Sequence, residues 1–342
     1  MPRSRSLFFA LMTTLLAGCV SSLLARKVVS PPNQSGIKAL FADSLIIQHA
    51  PQAFAQVWKV RVGPPAAEIV VASIEPGDYG FEYDLRLSYP EGRDPHIDHF
   101  NAFWKPATDI ARRAEPPRGT LVFLHGYLQD KRFLTPWAIR LAQQGYRCVV
   151  LDLRGHGEST GKYISFGAYE SADVSAVIDD LKRRGWDVSR VGLFGVSYGA
   201  SVALLTAGRD DRVKAVVAFE PFASAEKAVP ELMRAAFASQ ARGITDRQFA
   251  AAHRKEAAIA GFQWSNADIP AALSRTRAPV LFFHGEADTW LSPEHSLQLA
   301  SLAPPGSVRR LVPRDNHVTL PLQIAPFERE VIGWFDAAFT QP

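Results

Sequence analysis

A serine flanked by small residues is the first feature of the sequence with chemical potential. Residues 190–201 read RVGLFGVSYGAS, an apolar run followed by the pentapeptide GVSYG and then by small residues. This pattern predicts a strand, a sharp turn and a helix, with Ser197 at the tip. Side chains at Gly195 or Gly199 are expected to collide with the neighbouring strand and helix. At the helix N-terminus, backbone N–H groups favour negative charge that develops beside Ser197.

A serine hydroxyl needs two further groups before it can attack an acyl carbon. A base must take its proton, and a carboxylate must orient that base. Two later segments supply these residue types, each directly after a predicted strand. The strand 279–284 runs into GEADTWLSP, which contains Asp288, and the next strand runs into PRDNH, which ends at His317. The order nucleophile, acid, histidine makes a plain glycine-rich turn the less favoured interpretation of GVSYG.

Strands and helices that alternate from Thr120 onward predict the frame for these residues. The predicted strands are 121–124, 147–153, 191–194, 213–219, 279–284 and 308–312. The predicted helices are 133–144, 169–184, a helix after the serine, 293–302 and 321–339. Strands that are apolar throughout indicate a mostly parallel sheet with helices on both faces, an α/β fold. Ligands of such sheets bind beyond the carboxyl ends of the strands.

The flanking and inserted segments complete the predicted organisation. Residues 37–117 are expected to extend one side of the sheet, through strands at 57–62, 68–74 and 81–89, with an irregular stretch at 90–117. The core is predicted to span 118–342. Within it, residues of about 222–268 lack strand signals and have helical spacing of apolar side chains, so they are predicted to form a small helical lid.

The N-terminus is typical of a secretory signal. Residues 1–18 contain Arg3 and Arg5, then an apolar run at 7–16 that is too short for a comfortable membrane span. The next residues, polar and proline-containing, are predicted to form a tether at 19–36.

The sequence Leu16-Ala17-Gly18-Cys19 resembles the lipobox of bacterial lipoproteins. In that family the signal is cleaved before the cysteine, which then carries diacylglycerol and an N-acyl chain such as palmitate. The resemblance implies an exported protein, anchored through Cys19 to the membrane of the bacterial cell envelope. Val20 replaces the aspartate that retains some lipoproteins at the inner membrane, which favours the outer membrane in a Gram-negative organism. The alternative is a plain signal peptide, with Cys19 incidental.

Composition and charge argue against a nucleic-acid partner. The formal charge of the 342 residues is +4, and it becomes +2 without Arg3 and Arg5. No basic stripe with interleaved aromatics is present, so a nucleic-acid partner is not expected. Cys148 lies in an apolar run and is expected to be buried, so no disulfide framework is predicted. Oligomeric state is not predictable from this sequence.

Several further motifs, taken in order, carry a resemblance to a known family. They are HGY at 125–127, DLRGHGES at 152–159, GVSYG at 195–199, HGEAD at 284–288 and DNH at 315–317. Residues from about 118 to 340 thus resemble the α/β-hydrolase superfamily, particularly its serine-hydrolase branch. That branch includes esterases, monoacylglycerol-lipase-like enzymes and proline-aminopeptidase-like proteins.

The resemblance implies a role for each matching residue. Ser197 is the nucleophile, His317 is the general base and then the general acid, and Asp288 orients the imidazole. The backbone N–H groups of Tyr127 and Tyr198 are implied to form the oxyanion hole. Such a site needs no cofactor and no metal.

Alternatives remain for some of these roles. Glu220 follows the fourth predicted core strand, where some family members place the acid, while Glu286 and Asp315 are weaker candidates. Four other residues are expected to be structural: His125, Arg154, His156 and His284. The segment 94–99, DPHIDH, could suggest a metal site, but it lacks the spacing of a zinc motif.

The expected activity is cleavage of a carboxylic ester through an acyl-enzyme, with a small-molecule acyl substrate. Peptide or amide cleavage, thioester cleavage and acyl transfer are alternatives within enzymes. A catalytically silent binding protein on the same fold is the alternative outside them. A serine nucleophile argues against the dehalogenase and epoxide-hydrolase branches, which carry an aspartate at that position.

Overall fold

A mixed eight-stranded sheet forms the centre of the molecule, which is described by a computed structural model over residues 19–36, 43–92, 94–111 and 115–340. The strand order is β1-β2-β6-β5-β7-β8-β9-β10, and β3 and β4 form a separate two-stranded sheet. The strands are β1 (Gln56–Val62), β2 (Ala67–Ile74), β3 (Glu82–Ser88), β4 (His96–Phe103), β5 (Thr120–Leu124), β6 (Arg147–Leu151), β7 (Val191–Val196), β8 (Val213–Phe219), β9 (Val280–Gly285) and β10 (Val308–Val312).

The six strands from β6 to β10 in the sheet order are parallel to one another. Every residue of β5, β7 and β9 is buried, as expected for strands covered on both faces. Strands β1 and β2 add to one edge as antiparallel neighbours. The predicted fold class, a mostly parallel sheet with an N-terminal strand extension, is confirmed.

Helices cover the sheet on both faces. They are α1 (residues 19–28), α2 (Leu45–His49), α3 (Thr135–Ala142), α4 (Glu170–Arg183), α5 (Tyr198–Ala207), α6 (Ala225–Ala236), α7 (Ala238–Ala241), α8 (Asp246–Ala260), α9 (Ile269–Leu273), α10 (Glu294–Leu302) and α11 (Glu328–Thr340). One core cluster joins α4, α5, α9 and α10 to the sheet. The opposite cluster joins α2, α3 and α11 to its other face.

The hairpin of β3 and β4 departs from the prediction for residues 37–117. The stretch 90–117, expected to be irregular, contains β4, which pairs antiparallel with β3. Strand β3 therefore joins β4 rather than the main sheet. Most residues of β4 are exposed or half-buried, so its sequence carries a weak strand signal, and aromatic packing such as Tyr83 on Phe100 (ring centroids 5.8 Å apart) supplies the missing stabilisation.

Residues 19–36, predicted to form a tether, contain helix α1. Helix α1 packs on the body, with Ala25 and Val29 fully buried. The Lys255 ammonium of α8 donates to the hydroxyls of Ser21 and Ser22 at 2.8 Å each. Burial of the apolar side chains of this segment against the rest of the protein stabilises the helix, although the segment also contains polar residues and prolines.

The predicted lid is helical, with α6, α7 and α8 in sequence between β8 and β9. Pro230 lies inside α6, which begins at Ala225. The predicted signal at 1–18 lies outside the described residues. Among the residues that are described, none belongs to a helix with the length and apolar character needed to cross a membrane.

Candidate active site

Ser197 lies in a strained turn between β7 and α5. Its φ is 52°, a left-handed conformation that a residue with a side chain seldom adopts. A methyl group at Gly199 would collide with the Leu124 carbonyl, and one at Gly195 would collide with the backbone of α5. The two glycines therefore let the chain turn between strand and helix while the serine hydroxyl stays accessible.

His317 connects Ser197 to Asp288. The His317 Nε2 atom is 2.9 Å from Ser197 Oγ, and its Nδ1 atom is 2.7 Å from Asp288 Oδ2. Asp288 follows β9 and His317 follows β10, so both lie at the carboxyl edge of the sheet, as Ser197 does after β7. In this arrangement, a proton can pass from Ser197 Oγ to His317 Nε2 while Asp288 accepts from Nδ1.

Asp288 is held as a carboxylate by several donors. Its Oδ1 atom accepts from the backbone N–H groups of Trp290 (2.8 Å) and Leu291 (2.9 Å), and its Oδ2 atom is 3.2 Å from His284 Nε2. Burial alone raises the pKa of Asp288, but the charge of His317 and the hydrogen bonds from His284 and His317 outweigh it. The pKa therefore lies well below the ordinary value.

Glu220, the alternative acid, lies beside the same imidazole. Its Oε2 atom is 3.5 Å from His317 Nδ1, and within the described residues neither carboxyl oxygen makes a hydrogen bond. Burial, followed by the negative charges of Asp288 and Asp315, raises the pKa of Glu220 far above its ordinary value. The surroundings thus shift the pKa values of the two carboxyls in opposite directions, favouring the charged form of Asp288 and the neutral form of Glu220.

Trp290 is a site residue that the sequence interpretation missed. Its ring stacks on that of His317, with centroids 5.4 Å apart and planes at 28°. Its position two residues after Asp288 was the available signal. Stacking of the indole on the ring face and the hydrogen bond from Nδ1 to Asp288 together orient the His317 imidazole.

The loop after β5 passes next to Ser197. A methyl group at Gly126 would lie 3.5 Å from Ser197 Cβ, and the Gly126 N–H donates to Gln129 Oε1 at 2.8 Å. Among the described residues, the N–H groups of Tyr127 and Tyr198 donate to no protein acceptor. Two amides beside the serine are therefore available for an anionic oxygen.

The structural histidines lie behind this loop. His125 Nδ1 is 2.8 Å from the Gly126 carbonyl, and its Nε2 accepts from the Leu153 N–H at 3.0 Å. Burial lowers the pKa of His125 to about 4 and that of His156 to about 3, so both rings are neutral. Arg154 instead forms a buried ion pair with Asp173, at 2.8 and 2.7 Å.

The remaining acidic candidates lie away from the imidazole. Asp315 accepts hydrogen bonds from Thr319 (3.0 Å) and Tyr89 (3.1 Å), and Glu286 is exposed. Two more acidic residues, Glu226 and Glu231, belong to α6 of the lid. Glu231 contacts His295 Nε2 at 3.2 Å and accepts a hydrogen bond from the Ser292 N–H at 3.0 Å, whereas Glu226 is exposed.

The acidic and imidazole groups of the site are arranged as a hydrogen-bonded pair rather than as ligands of a metal ion. Within the described chain, the groups near enough to share a metal ion are Glu220, Asp288 and His317, whose donor atoms lie within 4.8 Å of one another. The nearest two donors, His317 Nδ1 and Asp288 Oδ2, already share a hydrogen bond, and burial raises the pKa of Glu220, which disfavours its charged form. In the segment 94–99, His99 pairs with Asp84 at 3.3 Å on the surface hairpin.

Two cavities meet at Ser197. The smaller, of about 260 Å³, is lined by His317, Trp290 and the loop at 126–129. The larger, of about 940 Å³, is lined by α1, α6 and core residues that include Tyr198. Ser197, Tyr127 and Leu232 line both cavities.

Known proteins resemble the chain in sequence and in fold. Residues 115–260 match the family described as "Serine aminopeptidase, S33". The uncharacterised protein YqkD of Bacillus subtilis is 26% identical over 175 residues, which are 50% of this chain and 56% of YqkD. The quorum-quenching protein AidA of Acinetobacter baumannii is 30% identical over 128 residues, 35% of this chain and 38% of AidA. The chain thus spans about half or less of these relatives.

Among solved structures, the Pyrococcus furiosus esterase Pf2001 superposes with a TM-score of 0.58 at 17% identity. The superposition covers 85% of this chain and 96% of the esterase. The matching family, the sheet topology and the shared fold agree with one another. Residues 115–260 are therefore similar to that family, and the chain as a whole has the α/β-hydrolase fold.

Proposed function

We propose that this enzyme is a serine hydrolase that cleaves a carboxylic ester through an acyl-enzyme intermediate. The observation that carries the proposal is the hydrogen-bonded chain from Ser197 through His317 to Asp288, at 2.9 and 2.7 Å. A serine in a strained turn, a neighbouring imidazole and an orienting carboxylate together activate an otherwise weak nucleophile.

The proposed reaction has two halves. Ser197 Oγ bonds to the ester carbonyl carbon while its proton moves to His317 Nε2, and the carbonyl oxygen becomes an oxyanion that accepts from the Tyr127 and Tyr198 amides. The carbon–oxygen bond to the alcohol then breaks, and His317 gives its proton to the departing oxygen. Water repeats the sequence on the acyl-serine and releases the acid.

The electrostatics of the site supports the proposed roles of Asp288 and of the two backbone amides. A carboxylate with a depressed pKa stays ionised, so it stabilises the imidazolium that forms on His317 in both halves. The Tyr127 and Tyr198 amides, which have no protein acceptor among the described residues, are proposed to donate to the negative charge that develops next to Ser197. Removal of one such donor typically costs about 10²–10³ in rate.

Amide cleavage is the second candidate, favoured by the description of the matching family. An aminopeptidase needs a carboxylate to bind the free amine of its substrate. Of the acidic residues near the lid, Glu231 is engaged by His295 and Ser292, and Glu226 is exposed. The apolar linings of both cavities favour an ester with an apolar acyl group instead.

The test uses a fluorophosphonate probe, which reacts with activated serines. Labelling is expected for the wild-type protein and for Ser201→Ala, four residues further along α5, and is expected to vanish for Ser197→Ala. Circular dichroism checks that each variant is folded. Folded wild-type protein that resists the probe would instead favour a binding protein. Rates on p-nitrophenyl acyl esters and aminoacyl anilides then separate esterase from peptidase.

We also propose that Cys19 carries the lipid that its flanking sequence implies, which would anchor the enzyme to the cell envelope. The cysteine is exposed at the beginning of the described chain and thus accessible to modification. The lipobox sequence before it supports the proposal.

A further inference from the structure

We propose that the larger cavity binds the acyl chain of the substrate, and that residues 20–35 form the wall that sets the accepted chain length. The smaller cavity then holds the alcohol part of the ester. This inference rests on the proposed ester hydrolysis. It assigns to the N-terminal segment, which precedes the hydrolase core, a role in substrate selection.

The larger cavity has the size and lining that an acyl chain needs. Its volume of about 940 Å³ lies at the upper end of ordinary ligand sites, and Ser197 is part of its wall. Leu24 and Val28 of α1 line one side, and Val229 and Met233 of α6 line another. An acyl chain attached to Ser197 could therefore lie between α1 and the lid, against these apolar side chains.

The position of His317 decides which part of the ester enters which cavity. The imidazole must give its proton to the departing alcohol oxygen, so the alcohol lies on the His317 side of Ser197. His317 lines the smaller cavity and is absent from the lining of the larger one. The acyl group then points away from His317, into the larger cavity. The substrate class is an ester of a large apolar acid with a small alcohol.

The wall at α1 is firmly attached to the lid. Leu24 and Ala25 are buried together with Phe249 and Ala252 of α8. Further along the segment, the Asn33 amide donates to the carbonyls of Gly157 (3.1 Å) and Ser159 (2.8 Å) on the core. The segment therefore bridges lid and core, and a side chain that grows inward from α1 takes space from the cavity.

The apolar end of α1 marks the solvent side of the cavity. Val20 and Leu23 both line it, yet they are 38% and 62% exposed. Lys27 and Lys162 are exposed lining residues as well. The mouth of the cavity is thus apolar with two cations at its rim, next to Cys19.

The test enlarges a side chain of the wall. Val28→Trp is compared with wild type on p-nitrophenyl esters with acyl chains of 2 to 16 carbons. Arg26→Trp is the matched control, because Arg26 is exposed on the same helix and absent from the cavity lining. We expect Val28→Trp to keep kcat/KM for the shortest esters within about 2-fold and to lose about 10-fold or more for the longest. The control should keep the wild-type profile.

A uniform loss across all chain lengths, or an unchanged profile, would overturn the role of the wall while fluorophosphonate labelling still supports ester hydrolysis. Binding gives a readout that does not need catalysis. A fluorescent long-chain fatty acid should bind Ser197→Ala and bind more weakly to Ser197→Ala/Val28→Trp. Equal binding of the acid by both variants contradicts the inference even if the enzyme hydrolyses no ester.

The alcohol side has its own test. For esters of one long-chain acid, kcat/KM should fall as the alcohol grows from methyl to butyl to octyl. A preference for a short acid on a long alcohol would reverse the assignment of the two cavities.

Discussion

Asp288 and Glu220 are buried carboxyls that both lie near His317 Nδ1, yet their pKa values are shifted in opposite directions. Asp288 accepts two backbone N–H groups and contacts two histidines, whereas Glu220 makes no hydrogen bond within the described residues. Hydrogen bonds to the charged form lower the pKa of the first, while burial and neighbouring negative charge raise the pKa of the second. Both residues follow a strand end, and the sequence favoured Asp288 as the acid with Glu220 as the alternative.

The acid assignment predicts a hierarchy among three variants. Asp288→Asn should lower kcat by about 10³–10⁴-fold, because the imidazolium loses its negative partner. Glu220→Gln should lower kcat by less than about 10-fold, since a neutral amide replaces a neutral carboxyl. The double variant should be slower than Asp288→Asn, because Glu220 is 3.5 Å from Nδ1 and partly replaces the lost acid. Kinetics on one ester measures all three. A larger loss in Glu220→Gln than in Asp288→Asn would transfer the role to Glu220.

Glu220 also predicts a pH-dependent stability. Its pKa is raised on folding, so its contribution to stability is fully present below the unfolded pKa, about 4.3. The contribution is lost as pH rises towards the folded pKa, with a slope of up to about 1.4 kcal/mol per pH unit. Glutamine at this position has no proton to lose. Glu220→Gln should therefore gain stability relative to wild type as pH rises above the unfolded pKa in urea denaturation, and a difference that stays constant with pH would contradict the raised pKa of Glu220.

At the scale of elements, the turn between β7 and α5 depends on close approach of two backbones. Gly199 passes against the end of β5, where the Leu124 carbonyl occupies the place of a side chain. This explains why the motif requires glycine: the requirement comes from a neighbouring strand, not from the turn alone.

Gly199→Ala should therefore destabilise the fold by about 1–3 kcal/mol or more, and it should lower fluorophosphonate labelling. Gly333→Ala is the matched control, since a methyl group there meets nothing within 4 Å. Because Gly333 lies within α11, the control should be neutral or stabilise by about 0.5–1 kcal/mol. Urea unfolding measures both. Equal stability of the two variants would mean that β5 and α5 can separate without cost.

At the scale of the whole molecule, the N-terminal segment connects the proposed anchor with the proposed substrate site. Cys19 begins the described chain, and Val20 directly after it lines the larger cavity. A lipid on Cys19 would therefore hold the mouth of that cavity close to a membrane surface.

Cys19→Ala is expected to move the enzyme from the membrane fraction to the soluble fraction and to remove incorporation of labelled palmitate. Several acyl chains on one residue anchor stably, at about 0.8 kcal/mol per buried CH₂, so their loss should release the protein. Cys148→Ala, in a buried strand, should keep both properties. Retention of Cys19→Ala on membranes after a salt wash would contradict the anchor. Hydrolysis of a short soluble ester should be unchanged.

The pattern of apolar runs and glycines by itself determined the parallel sheet, the serine turn and the order in which Ser197, Asp288 and His317 occur. These features depend on neighbours within a few residues, so periodicity and turn chemistry reveal them. Strand β4 and its pairing with β3 were not predicted, because the hairpin is stabilised by packing between the strands rather than by an apolar run in β4.

Tertiary structure alone decided the rest of the site. It set the opposite ionisation of Asp288 and Glu220, because desolvation and hydrogen bonds come from distant parts of the chain. It placed α1, expected as a tether, against α8, more than 200 residues away, through contacts such as that of Lys255 with Ser21. A cavity is bounded by segments that only folding brings together. For this reason the sequence alone predicted the lid but not the cavity, whose wall includes the N-terminal segment as well as the lid.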